Sequence, residues 1–251
     1  MIEVVHLHKS FDEREVLHDI CVKFEPKKTN LIIGQSGSGK TVLMKCLIGL
    51  YVAEQGSILY SGRNFNTLKK KDRLFLTQEM GVLFQGAALF DSMTVEENVM
   101  FPLIMHSDLS KAEQIERMEF CLNRVNLYGT RQLYPSQISG GMKKRVAIAR
   151  AIALNPKYLF CDEPNSGLDP KTSLLIDELI YELTEEYEIT TVINTHDMNS
   201  VMEIGDAVSF IYEGKLWWRG SKKDILNAEN KEVIDFVYAS KFTQELYKLH
   251  H

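Results

Sequence analysis

Cysteine is scarce in this sequence, with Cys21, Cys46, Cys121 and Cys161 the 4 among 251 residues. No two stand in a C-x-x-C pair, which excludes a disulfide framework. Each lies in an apolar stretch, which predicts buried free thiols and leaves a metal site remote. Proline is nearly as rare at 6, and glycine stands at 15, which excludes collagen-like and Pro/Gly-rich disordered chains. Neither sign of charge dominates: 29 Lys and Arg against 34 Asp and Glu leave a net charge of -5. That mild acidity argues against nucleic acid as the main partner. No run reaches the roughly 18–20 uncharged apolar residues of a transmembrane helix, and the greasiest stretch, 41–53, is interrupted by Lys45. The first six residues lack a basic region and a long apolar core, so the sequence predicts a chain without a secretory signal that stays in the cytosol.

What is present is an ordinary globular balance, 45% hydrophobic and 25% charged. Short β-rich runs alternate with helical patterns and nothing reads as an interdomain linker, which predicts one α/β unit. Residues 2–7 and 16–24 alternate as strands, 31–33 form a short buried strand, and a Gly-rich turn leads into a helix over about 39–51. Residues 57–60 read as a strand, about 94–153 as helical with a capping box at Ser110 and Glu113, and 158–161 as a buried strand. A helix over 171–187 follows Pro170, then a β run at 190–194 and a hairpin of 207–212 with 215–218. Residues 222–226 and 231–247 read as helical.

Gly34-Gln35-Ser36-Gly37-Ser38-Gly39-Lys40-Thr41 fits G-x-x-x-x-G-K-[ST] between a β run and a helix. Its glycines let successive N–H groups form an anion-binding nest, Lys40 reaches the β- and γ-phosphates, and the Thr41 hydroxyl ligates Mg²⁺, with Val42 next along the helix. A nucleoside triphosphate is the implied ligand. The β run at 158–161 delivers Asp162 and Glu163 at its C-terminal end. Beside a phosphate loop, Asp162 would hold Mg²⁺ and Glu163 would orient or deprotonate the attacking water; taken alone, such a pair also reads as a helix cap. Ser139-Gly140-Gly141 opens an Ala-rich helix and offers a second phosphate-facing nest, with the Ser139 hydroxyl available to a γ-phosphate. One phosphate loop already wraps one triphosphate, so the second nest points to a nucleotide held by a second copy of the chain, in a head-to-tail homodimer.

This trio, in the chain order phosphate loop, Ser-Gly-Gly, carboxylate pair, resembles the ATP-binding cassette (ABC) ATPases over nearly the whole chain. The resemblance implies an α/β P-loop NTPase fold, an ABC nucleotide-binding domain with a RecA-like core, an antiparallel β subdomain and a helical subdomain. The implied single domain has its core and β subdomain over 1–85 and 157–230, its helical subdomain over 86–156 and a helical tail over 231–251. It makes Ser139-Gly140-Gly141 the signature, Gln85 the Q-loop glutamine, Asp169 of Ser166-Gly167-Leu168-Asp169 the D-loop aspartate, and His196 the switch histidine. Phe11 takes the place where the family stacks an aromatic on adenine. By the residues alone, Gln85 can touch Mg²⁺ or water, His196 also reads as a surface histidine, and Phe11 also reads as core. The implied cofactors are ATP and Mg²⁺, the metal being held by Thr41, Gln85 and Asp162.

Two positions depart from the family pattern: Met142 ends the signature in place of Gln, and Asn165 stands where Thr is frequent. Neither removes a phosphate ligand. Met142, the stretch 81–103 and Thr41-Val42-Leu43-Met44-Lys45 are similar to the ATPases of Mce-type phospholipid transporters, the MlaF-like group. That likeness implies an ATPase pair beneath an integral-membrane permease of MlaE type, peripheral on the cytoplasmic face of the inner membrane. An Mce-domain protein lies beyond the permease, a small STAS-type accessory protein is an optional subunit, and no nucleic acid takes part. Ala87, Ala88, Leu89, Phe90, Met93 and Met100 would suit a groove for a partner's helix or serve the helical insert's own core. An importer ATPase for a small polar solute such as an amino acid is the rival within the class. A soluble ABC protein acting on DNA or ribosomes is the rival outside it.

The remaining features read plainly. Lys69-Lys70-Lys71 is a solvated face or a headgroup contact, and Trp217-Trp218 is one core and one surface aromatic. His6, His8, His18 and His106 have no ligand spacing and read as surface or packing residues. His250 and His251 read as native or as the stub of a tag. The tail, with Val233, Phe236, Val237, Phe242 and Leu246 at near-helical spacing, would pack on its own domain or across a dimer.

Overall fold

The structure, a computed structural model, describes residues 1–12, 14–127 and 129–239; Phe242, Leu246, His250 and His251 lie outside the described residues. In chain order the elements begin with β1 (Ile2–Phe11), β2 (Arg14–Phe24), β3 (Thr29–Ile33), α1 (Lys40–Leu47), β4 (Gln55–Tyr60) and β5 (Arg63–Asn64). Next come α2 (Lys70–Gln78), β6 (Met80–Leu83), α3 (Val95–His106), α4 (Lys111–Arg124), α5 (Gly140–Ile152), β7 (Tyr158–Asp162) and α6 (Pro170–Glu186). The last are β8 (Thr190–Asn194), α7 (Met198–Ile204), β9 (Ala207–Tyr212), β10 (Lys215–Gly220) and α8 (Lys231–Val237). No described helix is long and apolar enough to cross a membrane. The elements gather into two compact units, Met1–Thr67 with the segment from Asn194 onward, and Leu68–Ile193.

In the first unit, β2-β1-β4-β5 form an antiparallel sheet, while β3 pairs parallel with β9 and β9 antiparallel with β10. Alternation in β1 and β2 explains the first sheet, because Ile2, Val4 and Leu7 pair with Phe24, Val22 and Ile20 on its buried side. The alternation skips a residue in each strand, between Val4 and Leu7 and between Leu17 and Ile20, where His6 (φ 48°) and Asp19 (φ 53°) are left-handed. These are β-bulges, which re-aim side chains. The bulge in β1 is seated on Gly56 of β4, where any Cβ would stand 2.3 Å from the His6 carbonyl oxygen. One consequence overturns a sequence expectation: Cys21 is exposed, whereas Cys46, Cys121 and Cys161 are buried as expected.

Helix α1 ends at Leu47, short of the expected position near 51. Gly49 is left-handed there (φ 77°), with the Phe65 ring only 2.5 Å from where a Cβ would lie. The Trp pair also differs from expectation, with Trp217 exposed and Trp218 half-buried rather than core. Lys69, Lys70 and Lys71 form a solvated face at the start of α2.

In the second unit, β6 and β7 pair parallel and β8 lies beside β7. Helix α5 is buried along Val146, Ala147, Ile148, Ala149 and Ile152. Its small residues let it lie against β6, where a Cβ on Gly81 would approach the Ala151 carbonyl oxygen to 2.4 Å. The region expected to be helical over 94–153 resolves into α3, α4 and α5, with a 3-10 turn at Pro135–Gln137. Capping boxes at Thr94 with Glu97 and at Ser110 with Glu113 start α3 and α4.

Candidate functional site: a phosphate loop and a carboxylate pair

The phosphate loop lies wholly in the first unit, between β3 and α1. Gly34 has φ 147°, and a side chain there would strike the Ile211 carbonyl oxygen of β9 at 2.2 Å. Gly37 (φ 80°) and Gly39 (φ 107°) are left-handed, which is glycine's province. The loop is latched from β9–β10, because the Gly214 amide donates to the Ser38 carbonyl at 3.0 Å and the His18 amide to the Gly214 carbonyl at 2.8 Å. Lys40 is buried, and its Nζ donates to the carbonyl oxygens of Gly34 at 2.8 Å and Gln35 at 3.0 Å. No side chain caps α1 and no acidic residue sits in its first turn, which leaves its N-terminus suited to an anion. Gln35 and Ser36 occupy the exposed rim, while Thr41 and Val42 follow Lys40 in the first turn.

Two other expected residues of this unit fall at strand ends. Phe11 is 38% exposed rather than core, with its ring edge-on to Tyr51 at 5.1 Å and Lys9 Nζ 4.9 Å from its centroid. An exposed ring held from one side can accept a stacked base. His196 is exposed just after β8, following Thr195, whose amide donates to the Ile32 carbonyl at 3.0 Å.

In the second unit, β7 ends on Asp162, which is buried, and the chain turns at Glu163 with φ 50°. Gln85 follows β6, and its Nε2 donates to Ser166 Oγ at 3.3 Å. Lys144, two positions after Met142 and only 5% exposed, donates to the carbonyl oxygen of Gln85 and to that of Glu163 at 3.3 Å. Burial pulls its ammonium below the usual lysine range, and the nearby Asp162 and Glu163 charges oppose that pull. The structure thus brings Gln85, Glu163 and the signature helix together through a lysine that sequence reasoning passed over.

Arg150 was missed in the same way. Its guanidinium donates to the carbonyl oxygens of Ala88 at 2.8 Å and Ala87 at 2.9 Å, and both alanines are left-handed (φ 62° and 50°). Asn98, fully buried, fixes the next stretch by accepting from the Phe90 amide at 2.8 Å and donating to Phe90, Met93 and Thr94 carbonyls. The segment from Gln85 to Thr94 is therefore held by polar anchors on α5 and α3. The sequence signal for this was Lys144 and Arg150 among the apolar residues of an Ala-rich helix that also carries Lys143 and Arg145.

Ser139 is the N-cap of α5, its hydroxyl accepting from the Met142 amide at 3.3 Å. Gly140 and Gly141 lie in the first turn of α5 and neither is left-handed, so the anion-facing groups here are the amides of a helix N-terminus. Gly141 is small for a packing reason, since a Cβ would stand 2.7 Å from Thr172 Cγ2. Thr172 is in turn bound by Asp169, the N-cap of α6, which accepts its amide at 3.0 Å.

The sequence model of the family described as ABC transporter matches residues 17–166. The chain is 34% identical over 236 residues to the probable ribonucleotide transport ATP-binding protein mkl of Mycobacterium leprae, covering 94% of this chain and 68% of that protein. It thus spans about two thirds of the mycobacterial relative's length. It is 35% identical over 239 residues to the intermembrane phospholipid transport system ATP-binding protein MlaF of Haemophilus influenzae, covering 94% and 90%. The methionine import ATP-binding protein MetN 1 of Bacillus cereus is 34% identical over 99% of this chain and 74% of its own. Among solved structures, the dimeric post-hydrolysis cassette MJ0796 bound to ADP and Pi superposes with TM-score 0.80 at 28% identity, covering 88% of this chain and 99% of that one. The cbiO1 protein of Clostridium perfringens superposes with TM-score 0.84 at 28% identity, covering 99% and 98%. A phosphate loop, a Ser-Gly-Gly helix start and a strand-end carboxylate pair, in this order and on this fold, agree with those likenesses: the chain is an ATPase and belongs to the ABC transporter family.

Proposed function

We propose that this chain is the ATP-hydrolysing subunit of a transporter that moves phospholipid in the cell envelope, acting as a head-to-tail homodimer under a permease dimer on the cytoplasmic face of the inner membrane. The observation that carries the reading is the match to 90% of the length of the intermembrane phospholipid transport protein, and Met142 closing the signature agrees with it. The methionine import relative, 34% identical over 99% of this chain, keeps a small-solute importer as the second reading.

In this proposal Lys40 exchanges its loop carbonyls for the β- and γ-phosphates, the loop amides from Gly37 to Thr41 wrap the triphosphate, and Phe11 stacks on the adenine. The donors Thr41, Gln85 and Asp162 are all oxygens, the ligand set that Mg²⁺ prefers, so these residues would hold it. When bound, it supplies charge neutralisation at the phosphates. Glu163 takes the proton of the attacking water, while Gln85 and His196 sense the γ-phosphate. Ser139, Gly140 and Gly141, at the N-terminus of α5, close with Asp169 over the nucleotide of the second copy. Closure and reopening drive the permease.

The apolar surface of the second unit supports a membrane partner. Leu74 and Phe75 (54% exposed) on α2 and Ile104 (59% exposed) and Met105 on α3 stand out to solvent, and Gln78 and His106 at the ends of those helices approach to 3.5 Å. Phe90 is exposed beside them in sequence order, whereas Ala87 is buried and Met93 and Met100 are half-buried. The docking face is therefore proposed on α2 and α3 rather than on the whole stretch 87–100.

Purification with native membrane partners tests the reading. An Mce-domain protein and bound phospholipid identified by mass spectrometry are the expected outcome; a solute-binding protein in their place would favour the importer. Nucleic acid binding with a steep salt dependence and no membrane partner would overturn transport altogether. Glu163→Gln is expected to keep ATP binding and accumulate dimers, and full turnover in that variant would remove Glu163 from its role.

A further inference from the structure

His6, His8 and His18 have no ligand spacing along the chain, yet the antiparallel pairing of β1 and β2 assembles them with Cys21, Asp19 and Glu15 on the outer side of the first sheet. The ligand atoms of His6, Asp19 and Cys21 all lie within 4.8 Å of one another. His6 Nδ1 is 2.6 Å from Asp19 Oδ1 and 3.5 Å from Cys21 Sγ, and His8 Nε2 is 3.9 Å from the same Asp19 oxygen. We propose that His6, His8, Asp19 and Cys21 form a binding site for a divalent transition-metal ion of the zinc type, separate from the nucleotide machinery.

A tetrahedral zinc ion with bonds of about 2.0–2.3 Å sets its ligand atoms about 3.3–3.7 Å apart. The separations of 2.6 and 3.5 Å from His6 to Asp19 and Cys21, and of 3.9 Å from His8 to Asp19, lie on either side of that edge, and His8 closes in to complete the set formed by the other three. The short contact is a hydrogen bond, and the ion takes the place of its proton, which moves to His6 Nε2 as the neutral imidazole changes tautomer. Binding releases the proton of the Cys21 thiol.

The surroundings favour a ligand role. Glu15 Oε1 lies 2.7 Å from His8 Nδ1, so Nδ1–H is donated to a carboxylate and the Nε2 lone pair is turned toward Asp19. A carboxylate behind a histidine is the recurrent support of a metal-ligating imidazole. The amide of His6 donates to Cys21 Sγ at 3.2 Å, which fixes the sulfur beside the imidazole. The two bulges give the backbone reason. His6 and Asp19 each hold a left-handed conformation that disfavours a non-glycine residue, and the result is that they meet. A set of two imidazoles, a thiolate and a carboxylate selects zinc-like ions over Mg²⁺, so millimolar Mg²⁺ does not compete.

The test is a cobalt titration of the full chain in saturating Mg²⁺. One equivalent of Co²⁺ is expected to give a thiolate-to-cobalt charge-transfer band with tetrahedral d–d absorption, both abolished by added Zn²⁺. Cys21→Ser should lose the charge-transfer band, His6→Ala and Asp19→Asn should weaken binding about tenfold or more, and Glu15→Gln about tenfold. Melting of each metal-free variant controls for folding, and Zn²⁺ protection of wild-type Cys21 from alkylation needs no variant. No charge-transfer band in the wild type, a band that persists in Cys21→Ser, or alkylation unaffected by Zn²⁺ would overturn the site.

Discussion

Lys144 and Glu163 are joined through the backbone, the lysine Nζ donating to the glutamate's carbonyl oxygen at 3.3 Å. The same ammonium binds the Gln85 carbonyl, so one buried cation on α5 sets the start of the segment after β6 and the turn after β7.

Lys144→Met should therefore keep ATP binding and lower ATP turnover about tenfold, equivalent to about 1.4 kcal/mol in the barrier. Steady-state hydrolysis beside equilibrium nucleotide binding checks this. Equal loss of both would point to general misfolding, and unchanged turnover would remove Lys144 from the positioning of Gln85 and Glu163.

Arg150 spans two consecutive left-handed alanines. Ala88→Gly relieves the backbone cost and should raise stability by up to about 1 kcal/mol. Arg150→Ala removes the donors from both carbonyls and should lower it by about 1–3 kcal/mol. Urea unfolding of the two variants reads both signs.

Thiol chemistry should separate the cysteines. Burial pushes the thiols of Cys46 and Cys121 up to about 11, and that of Cys161 is raised further by its complete burial. Cys21 is the exposed one. One thiol per chain should react rapidly with a disulfide reagent near neutral pH, and Cys21→Ser should abolish that phase, with the other three reacting only on unfolding.

Acid should weaken the start of α6. The Thr172 hydroxyl, and then its amide, hold the Asp169 carboxyl below the usual range. A lowered folded-state value means stabilisation that is present above the unfolded value of about 3.9 and lost as pH falls through the folded one. The difference in melting temperature between the wild type and Asp169→Ala should thus be constant from neutral pH to about 5 and shrink below about 4. A pH-independent difference would show that the carboxylate charge is not what caps the helix.

Local physics was legible in the sequence and remote partners were not. The phosphate loop could be read because its glycines, lysine and following helix are contiguous, and the buried strand expected at 158–161 is observed as Tyr158–Asp162. The carboxylate pair followed from the strand's end. Lys144 could not be assigned because the carbonyl it binds is 59 residues away, and Arg150 for the same reason. The exposure of Cys21 and the meeting of His6 with Asp19 depend on bulges that only the paired strands and Gly56 reveal. The end of α1 depends on Phe65. In each case the deciding atom belongs to another element.

The seating of the phosphate loop on β9 has a consequence for how the chain is made. Gly34 rests against the Ile211 carbonyl and Ser38 is latched by Gly214, so the loop's shape waits on residues synthesised about 175 positions later, roughly ten to thirty-five seconds at ordinary translation rates. A nascent chain carries the complete loop sequence long before it can hold a nucleotide, and a product truncated before β9 would stay without that grip.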